Sequence, residues 1–237
     1  MTDTAHHILM LSSSRMGDEQ YLEHAQPMIQ AHLGDCRDVL FIPYAGVTLG
    51  WDDYVEKVQQ ALPSLNVSGI HTADDPIAAV ESASAIVVGG GNTFNLLYQL
   101  YNNDLLDVIR RKVASGTPYI GWSAGSNICG ASIRTTNDMP IIEPPSFTAL
   151  GFVPCQLNPH YTDYQPPNHN GETRDDRLFE FTALNPTTPV LAIREGTALL
   201  LSNQRMTLKG KLPGFCFRGA EKHAIEPEQD LTEFLDQ

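Results

Sequence analysis

Tyr119-Ile120-Gly121-Trp122-Ser123-Ala124-Gly125-Ser126-Asn127 is the stretch whose reading decides the fold. An apolar run climbs from Pro118 to Ile120, meets Gly-Trp-Ser-Ala-Gly, and passes into small residues with helix-compatible spacing. This is strand, sharp turn, helix, with Ser123 at the apex. It fits the G-x-S-x-G pattern, in which a strained backbone lifts a hydroxyl out of a sheet. A side chain at Gly121 or Gly125 would crowd the turn against a neighbouring strand or helix. The helix starting after Ser123 aims its N–H groups and positive dipole end at the serine, where they can stabilise an oxyanion. The bland alternative is a Gly/Ser-rich connection, which a pentapeptide alone leaves open.

Upstream of this turn the chain alternates strands with helices. His7–Leu11 is an apolar strand ending in Ser12-Ser13-Ser14, and Tyr21–Leu33 has helical spacing closed by Gly34. Val39–Ile42, Leu65–Ile70 and Ala85–Val88 read as buried strands. Trp51–Leu62, the segment opened by Asp75-Pro76, Thr93–Leu100 and Leu105–Ala114 read as helices. Continuous apolar strands between such helices argue for a mostly parallel α/β sheet covered on both faces, with sites beyond the carboxyl ends of the strands. From Ile133 onward prolines punctuate a loop-rich region. A helix over about 172–183 and short strands at 190–193, 198–201, 206–208 and 215–217 follow, expected as antiparallel additions to the sheet. Residues 228–235 are expected to form a terminal helix. No repeat or linker interrupts the 237 residues, so a single domain spanning 1–237 is expected.

Four widely separated cysteines, Cys36, Cys129, Cys155 and Cys216, form no C-x-x-C pair and argue against a disulfide framework or zinc site. The N-terminus lacks the pattern of a secretory signal, and no apolar run approaches the roughly 20 residues that cross a bilayer. A cytoplasmic protein is expected. The formal charge of −13, without a basic cluster, disfavours nucleic acid and acidic membrane surfaces as partners. It also repels anionic substrates, so a local cation would have to capture one. No cofactor motif is visible and no metal is required. Monomer and homodimer both stay open.

Gly89-Gly90-Gly91-Asn92 follows the strand at Val88. Consecutive glycines let a backbone approach a ligand and aim N–H groups inward. Neither G-x-x-x-x-G-K-[ST] nor G-x-G-x-x-G is present, so the loop reads better as half of an oxyanion hole than as a phosphate cradle. A serine hydroxyl also needs a base, and the base an orienting acceptor. Of the eight histidines, His6 and His7 lie at the N-terminus, and His24 and His32 are expected on the polar side of the first helix. His71 follows a strand and His223 lies in a charged tail. His160, at the end of a semi-apolar segment, is favoured over His169, which sits among turn residues. Glu195 follows the strand at 190–193 and is either the orienting acid or an exposed turn residue.

Gly89-Gly90-Gly91-Asn92, Gly121-Trp122-Ser123-Ala124-Gly125-Ser126, Asn158-Pro159-His160-Tyr161 and Gly171-Glu172-Thr173-Arg174 together resemble, in order and rough spacing, the peptidase E family. These are aspartyl dipeptidases, which cut the bond after an N-terminal aspartate. The resemblance runs from the first strand to the hairpins near residue 215. The family is similar in its flavodoxin-like fold to class I glutamine amidotransferases, with serine in place of their cysteine, and to cyanophycinases. The resemblance implies a Ser-His-Glu triad of Ser123 as nucleophile, His160 as base and Glu195 as orienter. Gly90 or Gly91 and Ala124 would supply the oxyanion hole. The order Ser, His, Glu differs from that of α/β-hydrolases and argues against an esterase.

An aspartyl substrate needs a cation for its carboxylate and acceptors for its amine. Arg174 can grip a carboxylate bidentately. The alternative is that Arg174 and Arg177 are surface arginines pairing with Asp175 or Asp176. Asp138, in the loop at 136–140, and Asn92 complete the expected substrate-binding set, with Asp163 and Glu143 open as other amine acceptors. The expected activity is hydrolysis of Asp-X dipeptides through an acyl-enzyme. The rivals are a cyanophycinase-like hydrolase of β-aspartyl-arginine and a non-catalytic amidotransferase-like binding protein.

Overall fold

Successive side chains of a strand go to opposite faces of its sheet, and here the two faces bury different partners. The computed structural model describes residues 6–168 and 170–235. Ile8 and Met10 of β1 (His7–Leu11) join one core with Leu40 and Ile42 of β2 (Asp38–Ile42). Leu9, Leu11, Val39 and Phe41 go to the other. After β3 (Asn66–Gly69), the same alternation continues through Ile86 and Val88 against Val87 in β4 (Ile86–Val88). In β5 (Tyr119–Trp122) it sets Tyr119 against Ile120 and Trp122. One face is covered by α1 (Gln26–Leu33) and α2 (Trp51–Ala61). The other is covered by α3 (Pro76–Ser82), α4 (Thr93–Asn102) and α5 (Leu105–Ala114).

These strands pair in parallel in the order β3-β2-β4-β5-β1. The chain runs from β2 outward to β3 and then back across to β4. That reversal opens a crevice at the carboxyl ends of β2 and β4, the place where ligands of such sheets bind. The segments leaving β1, β2, β4 and β5 all emerge at this end.

Past the turn helix α6 (Ala124–Asn127), the expected antiparallel additions divide between two sheets. The hairpin of β8 (Ala198–Ser202) and β9 (Arg205–Lys209) extends the first sheet beyond β1, completing seven strands. The strands at 190–193 and 215–217 do not join it. A separate four-stranded sheet is ordered β11-β10-β7-β6. Its members are β6 (Gln156–Asn158), β7 (Val190–Ala192), β10 (Gly214–Arg218) and β11 (Glu221–Ile225). Its inner strands β7 and β10 carry apolar residues on both faces, whereas β11 is largely exposed. Leu157, Leu191 and Cys216 feed the same core as α3–α5, while Val190, Ala192 and Phe217 pack with Tyr161 and Leu178. Leu178 belongs to α7 (Arg174–Leu184). Instead of the terminal helix expected at 228–235, a single 3₁₀ turn spans Thr232–Leu235. The preceding segment runs along β9, where Glu228 and Leu231 donate N–H groups to the carbonyls of Leu208 and Met206. All four cysteines are free thiols. No helix among the described residues is long and apolar enough to cross a membrane.

His24 and His32 do not lie on a polar helix face. The His24 side chain is 6% exposed beside Glu19, and His32 is buried under β5. His32 Nε2 lies 3.1 Å from the Tyr119 carbonyl, which only accepts, so the ring carries its proton there and is neutral. Burial, and then the neighbouring His7, push its pKa down to about 4. Above the unfolded value near 6.5 both states are neutral and nothing is lost. As pH falls from about 6.5 to about 4 the unfolded chain binds a proton that the folded chain refuses. The acid-limb penalty is on the order of 3 kcal/mol. Urea unfolding at pH 7 and pH 4.5 is expected to show a smaller acid loss in His32→Gln than in the unmodified chain. Equal losses would rule out His32 as the source.

Candidate active site

Ser123 stands between β5 and α6 with φ 53° and ψ −112°, a conformation that non-glycine residues rarely adopt. The surroundings over-determine it. Its N–H donates to the Leu11 carbonyl at 3.2 Å, and its own carbonyl accepts from Ser126 and Asn127. A Cβ on Gly121 would lie 2.3 Å from the Gly125 carbonyl oxygen, and one on Gly125 would lie 2.3 Å from that of Val88. The glycine spacing is therefore set by contacts of the turn with itself and with β4. The buried Ser126 hydroxyl sits within 2.6 Å of the Leu11 carbonyl and 2.8 Å of the Gly121 carbonyl, joining the ends of β1 and β5.

The glycine loop after β4 lies against this turn, and a Cβ on Gly90 would come within 2.9 Å of the Ser123 Cβ. Gly91 has φ 141° and approaches the Ala45 carbonyl so closely that any Cβ would collide with it. A chain of donors fixes the loop. Trp122 Nε1–H donates to the Tyr54 hydroxyl at 3.2 Å, which donates to the Gly90 carbonyl at 2.9 Å. The N–H groups of Gly89 and Asn92 are taken by Ile42 and Ala45. Those of Gly90 and Gly91 have no partner among the described residues. Ala124, the first residue of α6, directly follows the serine.

His160 follows β6 at φ 55°, again a strained value for a side-chain-bearing residue. Its N–H donates to the buried Ser12 hydroxyl at 2.9 Å, and that hydroxyl donates to the Ile193 carbonyl at 2.9 Å. Tyr161 N–H donates to the same Ile193 carbonyl. The end of β1 thus holds the ends of β6 and β7 together. His160 Nδ1 lies 2.7 Å from Glu195 Oε1. A carboxylate only accepts, so Nδ1 carries the proton and a neutral ring leaves Nε2 free as a base. Both side chains are more than a third exposed, so the pairing orients the ring more than it stabilises the fold. His169 lies outside the described residues. His71 and His223 are engaged with Asp52 and Glu221.

Two clefts meet at Ser123 and His160. The smaller, about 200 Å³, is lined by Thr93, Asn127, Asp138 and Arg174, among others. Arg174 does not pair with Asp175 or Asp176. Asp175 accepts from Tyr161 and Lys222, Asp176 completes the capping box of α7 with Thr173, and Arg177 pairs with Glu172. Arg174 Nη1 is buried without a hydrogen-bond partner. Burial, and then Arg177, hold its pKa below the ordinary value, yet a guanidinium stays charged. Among the described residues it is an unpaired cation, and it lines the smaller cleft.

The acidic candidates separate clearly. Asp163 forms a two-pronged pair with Arg194 at 2.9 and 2.6 Å, and Glu143 lines neither cleft. Asp138 lines the smaller cleft, with Oδ2 accepting the N–H and hydroxyl of Thr93 at 2.7 and 2.6 Å. Asn92 lines the larger cleft, but its side chain is committed to the fold: Oδ1 caps α4 and Nδ2 donates to the Met139 carbonyl. Sequence reading missed Asn127. Its Nδ2 donates to the Leu157 carbonyl at 2.8 Å, and its buried Oδ1 has no partner among the described residues. Its position four residues past Ser123, on the same short helix, was the available signal. Ser12 was also missed, because only the folded chain brings it beneath His160. The larger cleft, about 600 Å³, is walled by residues 45–49 after β2, by Gly90 and Gly91, by Tyr21 from the turn before α1, and by Tyr54 and Lys57 of α2.

Residues 8–209 match the model of peptidase family S51. A protein named peptidase E from Shewanella amazonensis (strain ATCC BAA-1098 / SB2B) is 57% identical over 230 residues, covering 96% of this chain and 98% of that one. Another peptidase E, from Shewanella sp. (strain W3-18-1), is 53% identical with the same coverage. Among solved structures, a protein assigned as a peptidase E from Listeria monocytogenes EGD-e superimposes with a TM-score of 0.67 at 23% identity, covering 87% of this chain and 98% of that one. A peptidase from an acI-B1 Actinobacterium does so with a TM-score of 0.68 at 16% identity, covering 97% of each. These two likenesses concern the fold.

Replacing Ser12 by alanine removes the hydroxyl between His160 and Ile193 and leaves the His160 N–H without its acceptor, while the Ile193 carbonyl keeps the Tyr161 N–H. Chemical denaturation of Ser12→Ala is expected to show a loss of about 1–3 kcal/mol. A loss under about 0.5 kcal/mol, the range of a neutral surface change, would mean that this hydroxyl does not hold the two sheets.

Proposed function

The chain belongs to peptidase family S51, and from that premise we propose that it is a serine-type dipeptidase cleaving Asp-X after an N-terminal aspartate. The observation that carries the reading is the unpaired Arg174 guanidinium in a small cleft whose mouth is formed by Ser123 and His160. An aspartate side chain fits that chemistry, because a planar guanidinium holds a carboxylate through two parallel hydrogen bonds.

In this reading the Ser123 hydroxyl attacks the carbonyl carbon of the aspartyl residue while His160 Nε2 takes its proton. Glu195 steadies the imidazolium through the Nδ1 contact at 2.7 Å. The oxyanion lies on the N–H groups of Ala124 and of Gly90 or Gly91. His160 returns the proton to the leaving amine, and water then releases aspartate from the acyl-enzyme. The substrate's free α-amine finds acceptors in Asp138 and in the unpartnered Oδ1 of Asn127. A longer chain preceding the aspartate would carry no such amine.

A cyanophycinase-like substrate would send an arginine side chain toward the larger cleft. That cleft carries Lys57 and no acidic lining residue, which favours the dipeptidase reading. A non-catalytic role leaves an unpaired guanidinium beside Ser123 unexplained.

A panel of dipeptides varied at the first residue is the decisive measurement. Hydrolysis is expected for Asp-Leu and to be at least roughly 100-fold weaker for Ala-Leu, as a site built around a buried charge rejects a partner lacking it. Ser123→Ala is expected to abolish turnover with unfolding unchanged, and Arg174→Met to lower kcat/KM for Asp-Leu far more than for Ala-Leu. Equal rates on Asp-Leu and Ala-Leu would sink the specificity, and full activity of Ser123→Ala would sink the nucleophile.

A further inference from the structure

The clefts on the two sides of Ser123 differ in their cations. If the aspartyl half of a substrate occupies the Arg174 side, the leaving residue crosses Ser123 into the larger cleft. There Lys57 stands on α2, half-buried, its ammonium 4.4 Å from the centre of the Tyr21 ring. It pairs with no carboxylate among the described residues, although the chain carries a formal charge of −13. The lining of that cleft holds no aspartate or glutamate. Val47, Leu49 and Ile141 add apolar surface to it.

An ammonium over an aromatic face, without a counter-ion, is positioned rather than neutralised. The stacking restricts a side chain that would otherwise have many rotamers, so less freedom is lost when an anion arrives. In a dipeptide the leaving residue bears a free carboxylate immediately beyond the scissile bond. In a longer peptide that position is a neutral amide.

We infer that Lys57 binds the terminal carboxylate of the leaving residue, so that the enzyme recognises a dipeptide by a cation at each end: Arg174 for the aspartate side chain and Lys57 for the chain end. The inference rests on the Asp-X reading above and extends it to the other side of the serine. The apolar lining receives the side chain of the leaving residue.

The test compares kcat/KM for Asp-Leu and Asp-Leu-amide, which differ only in that terminal charge, in the unmodified chain, in Lys57→Met and in Lys57→Arg. The unmodified chain is expected to prefer the acid by roughly 10- to 100-fold, the range of one charge-assisted hydrogen bond. In Lys57→Met that ratio collapses toward 1, mainly through KM, and Lys57→Arg restores part of it. Should Lys57→Met depress both substrates equally and keep the ratio, Lys57 is structural and the inference fails. The inference also fails alone if the unmodified chain cleaves acid and amide equally well. Absence of any Asp-X cleavage overturns the proposed function, and this inference with it.

Discussion

The hydroxyl of Ser12 is the contact on which the rest of the site depends. Ser123 comes from the seven-stranded sheet, whereas His160 and Glu195 come from the ends of β6 and β7 in the four-stranded one. Two sheets packed through side chains alone could slide by fractions of an ångström, and the proton transfer proposed between Ser123 and His160 would not tolerate that. Ser12, at the end of β1, spends its single proton on the Ile193 carbonyl and its lone pair on the His160 N–H. Asn127 adds a second stitch, from the helix behind Ser123 to the Leu157 carbonyl of β6. Both are buried, where a hydrogen bond is strengthened by low dielectric and its loss is expensive.

Electrostatics follow the same division of labour. The chain as a whole is anionic, and most of its cations near the site are already neutralised: Arg194 by Asp163, Lys222 by Asp175, Arg177 by Glu172. Arg174, lining the smaller cleft, is the exception. A half-buried guanidinium without a hydrogen-bond partner among the described residues carries a desolvation penalty, since fixed dipoles and the carboxylate of Asp138 replace its water only in part. It lies in the same cleft as Ser123 and His160, both held at positive φ.

The parts of the molecule legible in the sequence were those governed by neighbours along the chain. Gly121 and Gly125 are dictated by a turn folding back on itself, and the spacing alone exposes it. Asp75 before Pro76 caps its helix as its composition requires. The parallel sheet follows from apolar runs broken by helices. What stayed hidden depends on partners distant in sequence. Nothing local in Val190–Ala192 states which sheet it joins, because a strand buried on both faces reads the same in either. His32 looks like a polar helix residue until the Tyr119 carbonyl, far along the chain, appears above it. Asn92, conspicuous at the end of three glycines, turned out to serve α4 with its side chain. Asn127 looks unremarkable in the sequence, yet it lines the smaller cleft and its buried Oδ1 has no partner among the described residues.

The two tryptophans of the chain have an optical consequence. Trp51 donates its indole N–H to the Gly46 carbonyl at 3.3 Å, on the loop after β2. Trp122 reaches the Gly90 carbonyl on the loop after β4 through the Tyr54 hydroxyl. Both fluorophores are thereby linked to loops that line the larger cleft. Any occupant that shifts either loop changes the hydrogen bonding of an indole, so the intrinsic emission of this protein is a built-in gauge of that cleft, free of any attached dye.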